Sequence, residues 1–198
     1  MQGRTHIGVG TAAALAVVRP TGMAGCVACV LGAALGSLIC DIDVRPSDRQ
    51  RTAFRLSMAI LVIALMLLAY DVGSGGVVLS AAVAHLGPEL VLGAAGFVAT
   101  SVFGALTPHR TFAHSLVALG LWTTSLELLW PALALPFAVG VASHLVLDLT
   151  NKQGVQLFWP LKVEVSLGLW KSDGYVDNLL AIVGLVAAVV LFVVGVAT

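Results

Sequence analysis

The chain is short of charge. Its ten Lys and Arg and ten Asp and Glu make up 10% of 198 residues, where soluble domains run near ~25%. Set beside 59% hydrophobic residues, that scarcity excludes an ordinary globular protein and leaves an integral membrane protein. The formal net charge is zero, so bulk electrostatics give no reason to expect a nucleic-acid partner. Cysteine is scarce and odd in number: Cys26, Cys29 and Cys40. Three thiols in apolar surroundings exclude a disulfide framework. Cys26 and Cys29 read as small apolar helix residues; Cys40 abuts Asp41 and has a lesser claim as a metal contact. No cleavage site of small residues follows the first apolar run, Ile7 to Val18; Arg19-Pro20 and a second apolar run come instead. The first run therefore reads as a retained helix rather than a signal peptide. There is no internal repeat and no linker between domains, so residues 1–198 read as a single transmembrane domain.

What remains is hydrocarbon-soluble. Apolar stretches at about 6–18, 22–40, 54–70, 88–106, 115–134, 136–149 and 179–197 predict an all-α, polytopic transmembrane helical bundle of about seven spans. The first and sixth are short for a span of about 20 residues, which is acceptable where polar helix ends border a wet cavity. Val77 to Leu86 has three readings: an extension of the fourth helix, a half-helix broken at Gly87-Pro88, or an interfacial segment. Gly32 and Gly36 have GxxxG spacing, with Gly22, Gly25, Gly93 and Gly96 nearby. Small residues let helices approach closely in lipid; packing within the chain is favoured over a dimer face, and a homo-oligomer stays open. Trp130 and Tyr70 suit one membrane interface, and Trp159 and Trp170 the other. The longest polar stretch, 150–178, reads as an interfacial loop.

Threaded as alternating crossings, the spans put the N-terminus and the 41–53, 107–114 and 150–178 loops on one side. That side carries Arg4, Arg45, Arg49, Arg51, Arg55, Arg110, Lys152, Lys162 and Lys171, nine of the ten basic residues; the other holds Arg19. The positive-inside rule makes the basic side cytoplasmic in an inner or plasma membrane. Arginines that bind an anionic substrate would cluster there too, which weakens the rule.

Four of the five histidines gather on that same side. His144-x-x-x-Asp148 places an imidazole and a carboxylate one turn apart on one helix face. It fits a metal-ligand pair or a hydrogen-bonded structural pair equally. Asp41-Ile42-Asp43 ends the second apolar run, where acids meet an unfavourable helix dipole and ask for a cation, a metal or an arginine such as Arg45. His109 and His114 straddle a loop-to-helix junction. Between them Arg110 offers a planar fork of donors suited to phosphate, and Ser115 follows as a cap or supporting partner. His6 enters from the first helix. A lone histidine is more often structural, but four at one depth beside three acids in a membrane protein make a divalent-metal site the better reading. His85, Glu89 and Glu127 fall toward the far side and stay outside it.

In their order, Thr5-His6, Gly36-Ser37-Leu38-Ile39-Cys40-Asp41-Ile42-Asp43, His109-Arg110-Thr111-Phe112-Ala113-His114-Ser115 and Ser143-His144-Leu145-Val146-Leu147-Asp148 resemble the motifs of the YdjM-like membrane-bound metal-dependent hydrolases. Asn151-Lys152-Gln153-Gly154 and Leu157-Phe158-Trp159-Pro160 match the segment after the family's last motif, so the likeness covers about residues 5–165. Cys40 departs from it, standing where the family has proline. A wider likeness is to the zinc-dependent phospholipase C and single-strand nuclease superfamily, whose helical enzymes hold up to three zinc ions. The resemblance implies that His6, Asp41, Asp43, His109, His114, His144 and Asp148 are metal ligands. The superfamily's amino-terminal ligand is not carried over, because Met1 lies five residues before His6.

Seven nitrogen and oxygen donors suffice for two divalent ions, with one to three in range. Zinc suits imidazole with carboxylate, and manganese or iron are alternatives. The expected activity is a membrane-embedded, metal-dependent hydrolase. Its metal-bound water would be a nucleophile near neutral pH, Asp41 or Asp43 the proton acceptor, and Arg110, helped by Arg45 or Lys152, the neutraliser of a phosphoryl oxygen. A site at the membrane face points to a phosphoester of a membrane lipid or lipid-like substrate. Two rivals use the same ligands. A divalent-ion transporter needs ionisable groups near the bilayer midplane, where this chain has few. A non-catalytic membrane protein would close the shell of a structural metal.

Overall fold

The computed structural model describes residues 2–44, 75, 83–170 and 174–198. α1 (Gly3–Val18) ends where Arg19 takes a left-handed conformation and its N–H closes on the Leu15 carbonyl, a common helix stop. Pro20 then turns the chain into α2 (Gly22–Ile39), whose last turn tightens into a 3-10 turn at Cys40–Asp43. α3 (Pro88–Leu106) starts with proline at its first turn, where the missing N–H costs nothing. A 3-10 turn at Phe112–His114 leads to α4 (Leu116–Leu129). Ser115 caps α4: its Oγ accepts the Ala118 N–H at 3.1 Å, satisfying one of the helix's free donors. α5 (Pro131–Leu149) and α6 (Tyr175–Ala197) complete the order. Between them the 151–170 segment is a clasp with isolated bridges of Asn151 to Trp170 and Val155 to Val165.

The all-helical membrane bundle holds; the described residues give four to five spans where seven were expected of the whole chain. Among the described residues, four helices are long and apolar enough to cross a membrane: α2 with its 3-10 turn, α3, α5 and α6; α4 is a shorter apolar helix. That makes four to five. A helix of 16 residues such as α1 reaches about 24 Å, short of the ~30 Å hydrocarbon core. The expected span at 54–70 lies outside the described residues. Of the 77–86 segment only 83–86 is described, as a helical turn set apart from α3 by Gly87 at φ 85°. The expected break near residue 135 falls instead at Trp130-Pro131, and α5 continues through Pro136. Pro136 sits against Gly32, where an added Cβ would approach its ring carbon to 3.1 Å; neighbouring helices make such prolines tolerable in membranes.

α5 is the central rod, packed on α2, α1 and α4, while α6 leans on α1 and α3 on α4. The α2–α5 crossing is built from missing side chains. A Cβ on Gly32 would lie 2.8 Å from the Leu133 carbonyl, one on Gly36 would collide with the Phe137 backbone, and one on Gly140 with the Ala33 carbonyl. The GxxxG pair therefore serves packing within the chain, as favoured from the sequence. α1 and α6 meet the same way at Gly184, where a Cβ would stand 2.7 Å from the Val9 nitrogen. Below the crossing lie Phe112, Trp122, Phe137, Val141 and Leu145, with Cys40. The Trp122 indole N–H donates to Ser101 Oγ at 3.1 Å, as a buried indole requires. Trp159 packs edge-on to Phe112 and Phe103 at 5.1 and 5.8 Å, so it belongs to this aromatic group rather than standing alone as an anchor. Trp130 is exposed; Tyr70 lies outside the described residues.

Candidate metal centre

Four chain segments deliver donors to one pocket at the α5 C-terminal end. α1 brings His6, the 3-10 turn after α2 brings Asp41 and Asp43, the turn before α4 brings His109 and His114, and α5 brings His144 and Asp148. His6, His114 and His144 are at most 1% exposed, Asp148 2% and Asp43 7%. The rings of His6 and His144 stack at 3.7 Å. His114 stands edge-on to His144 at 5.2 Å and to His109 at 5.1 Å. Three overlapping donor sets have their ligand atoms within 4.8 Å of one another: His6, His144 and Asp148; Asp41, His114 and His144; Asp43, His109 and His114.

The spacings speak for a cation. Asp148 lies 3.5 Å from His6 Nε2, 3.4 Å from His114 Nε2 and 3.7 Å from His144 Nε2. Asp41 Oδ1 lies 3.7 Å from His144 Nε2 and 3.9 Å from His114 Nε2. These gaps exceed an ordinary hydrogen bond. They match the edge of a tetrahedron of zinc ligands, about 3.4 Å for bonds of about 2.0–2.1 Å. His6 Nδ1, both ring nitrogens of His114 and Nε2 of His144 are buried without a hydrogen-bond partner among the described residues. Each such atom costs about 1–3 kcal/mol when left unsatisfied. Orphaned nitrogens facing carboxylates fit a metal, so these buried His and Asp groups could hold an ion.

The surroundings set the tautomers. His144 Nδ1 donates to the Ser37 carbonyl at 2.7 Å, which turns the Nε2 lone pair into the cluster. Asp43 is committed on both sides: Oδ1 lies 2.6 Å from His109 Nδ1, and Oδ2 accepts the Arg110 backbone N–H at 3.2 Å. Asp41 is looser, its side chain 30% exposed, and His109 is the most open member at 41%. Burial pulls the His114 imidazole down, but the carboxylates of Asp148 and Asp43 outweigh it and push it up to about 9.

Arg110 has φ 66°, left-handed and costly for a side-chain-bearing residue. Its N–H on Asp43 and its carbonyl, which accepts the Gln156 N–H at 2.9 Å, hold it there. The guanidinium donates from Nη1 to the Gln153 carbonyl at 2.5 Å and sets Nη2 3.7 Å from Asp148 Oδ2. Nε is buried with no hydrogen-bond partner among the described residues.

The seven residues chosen from the sequence as ligands thus come together, and so does Arg110. Arg45 lies outside the described residues. Lys152 is exposed on the clasp, its backbone N–H on the Trp170 carbonyl. Cys40 is fully buried among the core side chains and enters none of the donor sets. His85 is exposed on the 83–86 turn, and Glu89 and Glu127 are exposed as well. Three supports went unseen in the sequence. The Ser37 and Gln153 carbonyls act through the backbone and leave no residue-type signal. Asp177, fully buried, takes the Gln2 N–H on Oδ1 at 3.3 Å and the Thr5 hydroxyl on its carbonyl at 3.3 Å, holding the start of α1 beside His6. An acid in the first turn of the last apolar helix was the available clue.

The family model described as YdjM inner membrane protein matches residues 1–198. The chain belongs to the YdjM inner membrane protein family. It is a multi-pass inner membrane protein, as its apolar helices require. It is also 34% identical over 93 residues to the "Uncharacterized protein YvsG" of Bacillus subtilis (strain 168), an alignment covering 46% of this chain and 56% of that protein. The match spans little more than half the length of that curated relative. No solved structure matches this YdjM-family chain.

Proposed function

We propose that this YdjM-family protein is a membrane-embedded, metal-dependent hydrolase acting on a phosphoester of a membrane lipid or lipid-like substrate at the cytoplasmic face. One observation carries the reading: four segments place seven nitrogen and oxygen donors in one pocket, with buried imidazole nitrogens left unpaired. His6, His144 and Asp148 would hold an ion at the buried end, and Asp43, His109 and His114 a second nearer solvent, with Asp41 between. Zinc suits the donor set best, with manganese or iron as alternatives. Such an ion supplies Lewis acidity, polarising a phosphoryl oxygen and making water a competent nucleophile at neutral pH.

The chain's own groups divide the remaining work. Asp41 is the better proton acceptor, because Asp43 is bound to His109 and the Arg110 N–H while Asp41, among the described residues, keeps only long contacts and is part exposed. Arg110 holds Asp148 through Nη2, and the part of its guanidinium that stays exposed, 14% of the side chain, is the group to meet a phosphoryl oxygen. The part-exposed His109 and Asp41 favour a catalytic site over a structural one, since a structural shell closes around its metal. Crowding of the ionisable groups at one helix end weighs against an ion pathway.

The test is metal analysis of purified protein, paired with a lipid-head-group hydrolysis screen of wild type against His144→Ala. Wild type should carry a divalent metal and turn over a phosphoester, and the variant should lose both. Equal metal content and equal turnover in the two proteins refute the enzyme reading.

A further inference from the structure

On the outer seam of α1 and α6 lies a trough that the metal pocket does not use. Its upper part, about 630 Å³, is lined by Arg4, Gly8, Asn178, Ala181, Ile182 and Leu185. A lower part of about 290 Å³ shares Gly8 and Leu185 and continues past Val30, Ala188 and Phe192. From Asn178 to Phe192 α6 rises about 21 Å, enough to cover the ~15 Å of hydrocarbon in one leaflet. The lower walls are apolar, while the mouth is polar and cationic. Arg4 is exposed there and its guanidinium donates to the neutral Asn178 side chain. The neighbouring carboxylate, Asp177, is fully buried and turned to the Gln2 N–H. Arg4 stands two residues from buried His6, so the mouth sits at the depth of the metal pocket but opens on the outside of the bundle.

We propose that this trough binds an anionic phospholipid, its phosphate on Arg4 and Asn178 and one acyl chain along α6 toward Phe192. A guanidinium has five N–H donors and a fork that suits phosphate; the bond to Asn178 uses one of them. A second copy of the chain would suit the apolar lower walls but leave Arg4 unmatched. The site stands apart from hydrolysis and does not depend on it.

Native mass spectrometry of protein released from nanodiscs of phosphatidylcholine mixed with phosphatidylglycerol tests this. Wild type should retain one phosphatidylglycerol in preference to phosphatidylcholine. Arg4→Ala should lower that retention about fivefold, and Arg4→Lys should keep most of it. Ala181→Trp, which fills the trough and leaves Arg4 in place, should abolish it. His144→Ala should retain lipid as wild type does, so failure of the metal site and failure of the lipid site are separable. Equal retention by wild type, Arg4→Ala and Ala181→Trp overturns the proposal. So does an Ala181→Trp protein that breaks a dimer while its bound lipid is unchanged.

Discussion

The α2–α5 crossing ties helix packing to the candidate metal pocket, and Gly36→Ala is the change that exposes the link. A Cβ at Gly36 would collide with the Phe137 carbonyl oxygen and stand 2.9 Å from its carbon, backbone atoms that cannot rotate away. α2 and α5 must therefore part, by on the order of 1 Å if ordinary contact is restored, and overpacking of this kind costs about 1–3 kcal/mol. The next residue, Ser37, supplies the carbonyl that holds His144 Nδ1 at 2.7 Å. Moving it by about 1 Å takes that bond outside hydrogen-bonding range, freeing the imidazole to turn and misdirect Nε2. Thermal unfolding in detergent should show the loss of stability, and metal content per chain should fall with it. Gly120→Ala is the internal control: it lies in α4 with nothing within 4 Å of the added methyl, so it should be neutral or gain up to about 1 kcal/mol of helix propensity. If Gly36→Ala matches Gly120→Ala in both stability and metal content, the link between crossing and pocket is wrong.

The proposed metal centre should bind its ion in a pH-dependent way through His114. Its pKa is raised above the unfolded 6.5 to about 9, so in metal-free protein it contributes stability that is fully present below pH 6.5 and lost as pH rises through 9. A metal must displace that proton, so affinity should rise about tenfold per pH unit between 7 and 9; calorimetry in buffers of different ionisation enthalpy should count about one proton released, and a flat profile refutes the assignment. Equilibrium metal binding should separate the two donor sets: His144→Ala, fully buried, should abolish binding at the inner set, whereas His109→Ala, which removes one of the three outer donors, should lose the outer ion and leave the inner one bound. Ser115→Ala removes the α4 cap and should cost about 0.5–2 kcal/mol in thermal unfolding, with metal content unchanged.

Much of the site was legible in the chain because ionisable residues are expensive in hydrocarbon. Four histidines and three aspartates retained at one end of apolar runs signal a shared purpose whatever the packing. Span boundaries were less legible. Hydropathy cannot see that Pro131 opens a helix or that Pro136 is carried inside one, because both depend on which backbone groups find partners. Nor can it rank the two aspartates. Asp41 and Asp43 differ by one residue in sequence, yet one is part exposed and the other is bound to His109 and the Arg110 N–H.

By itself, the order of residues determined a helical membrane protein with His and Asp donors gathered at one end of its apolar runs, since transfer energy and donor chemistry belong to residue types. Tertiary structure alone decided which donors lie within reach of one another, which aspartate is part exposed and which is bound, and that Ser37, Gln153 and Asp177 hold the pocket in shape. Those are matters of distance between segments far apart in the chain, governed by how closely glycine-lined helices can approach.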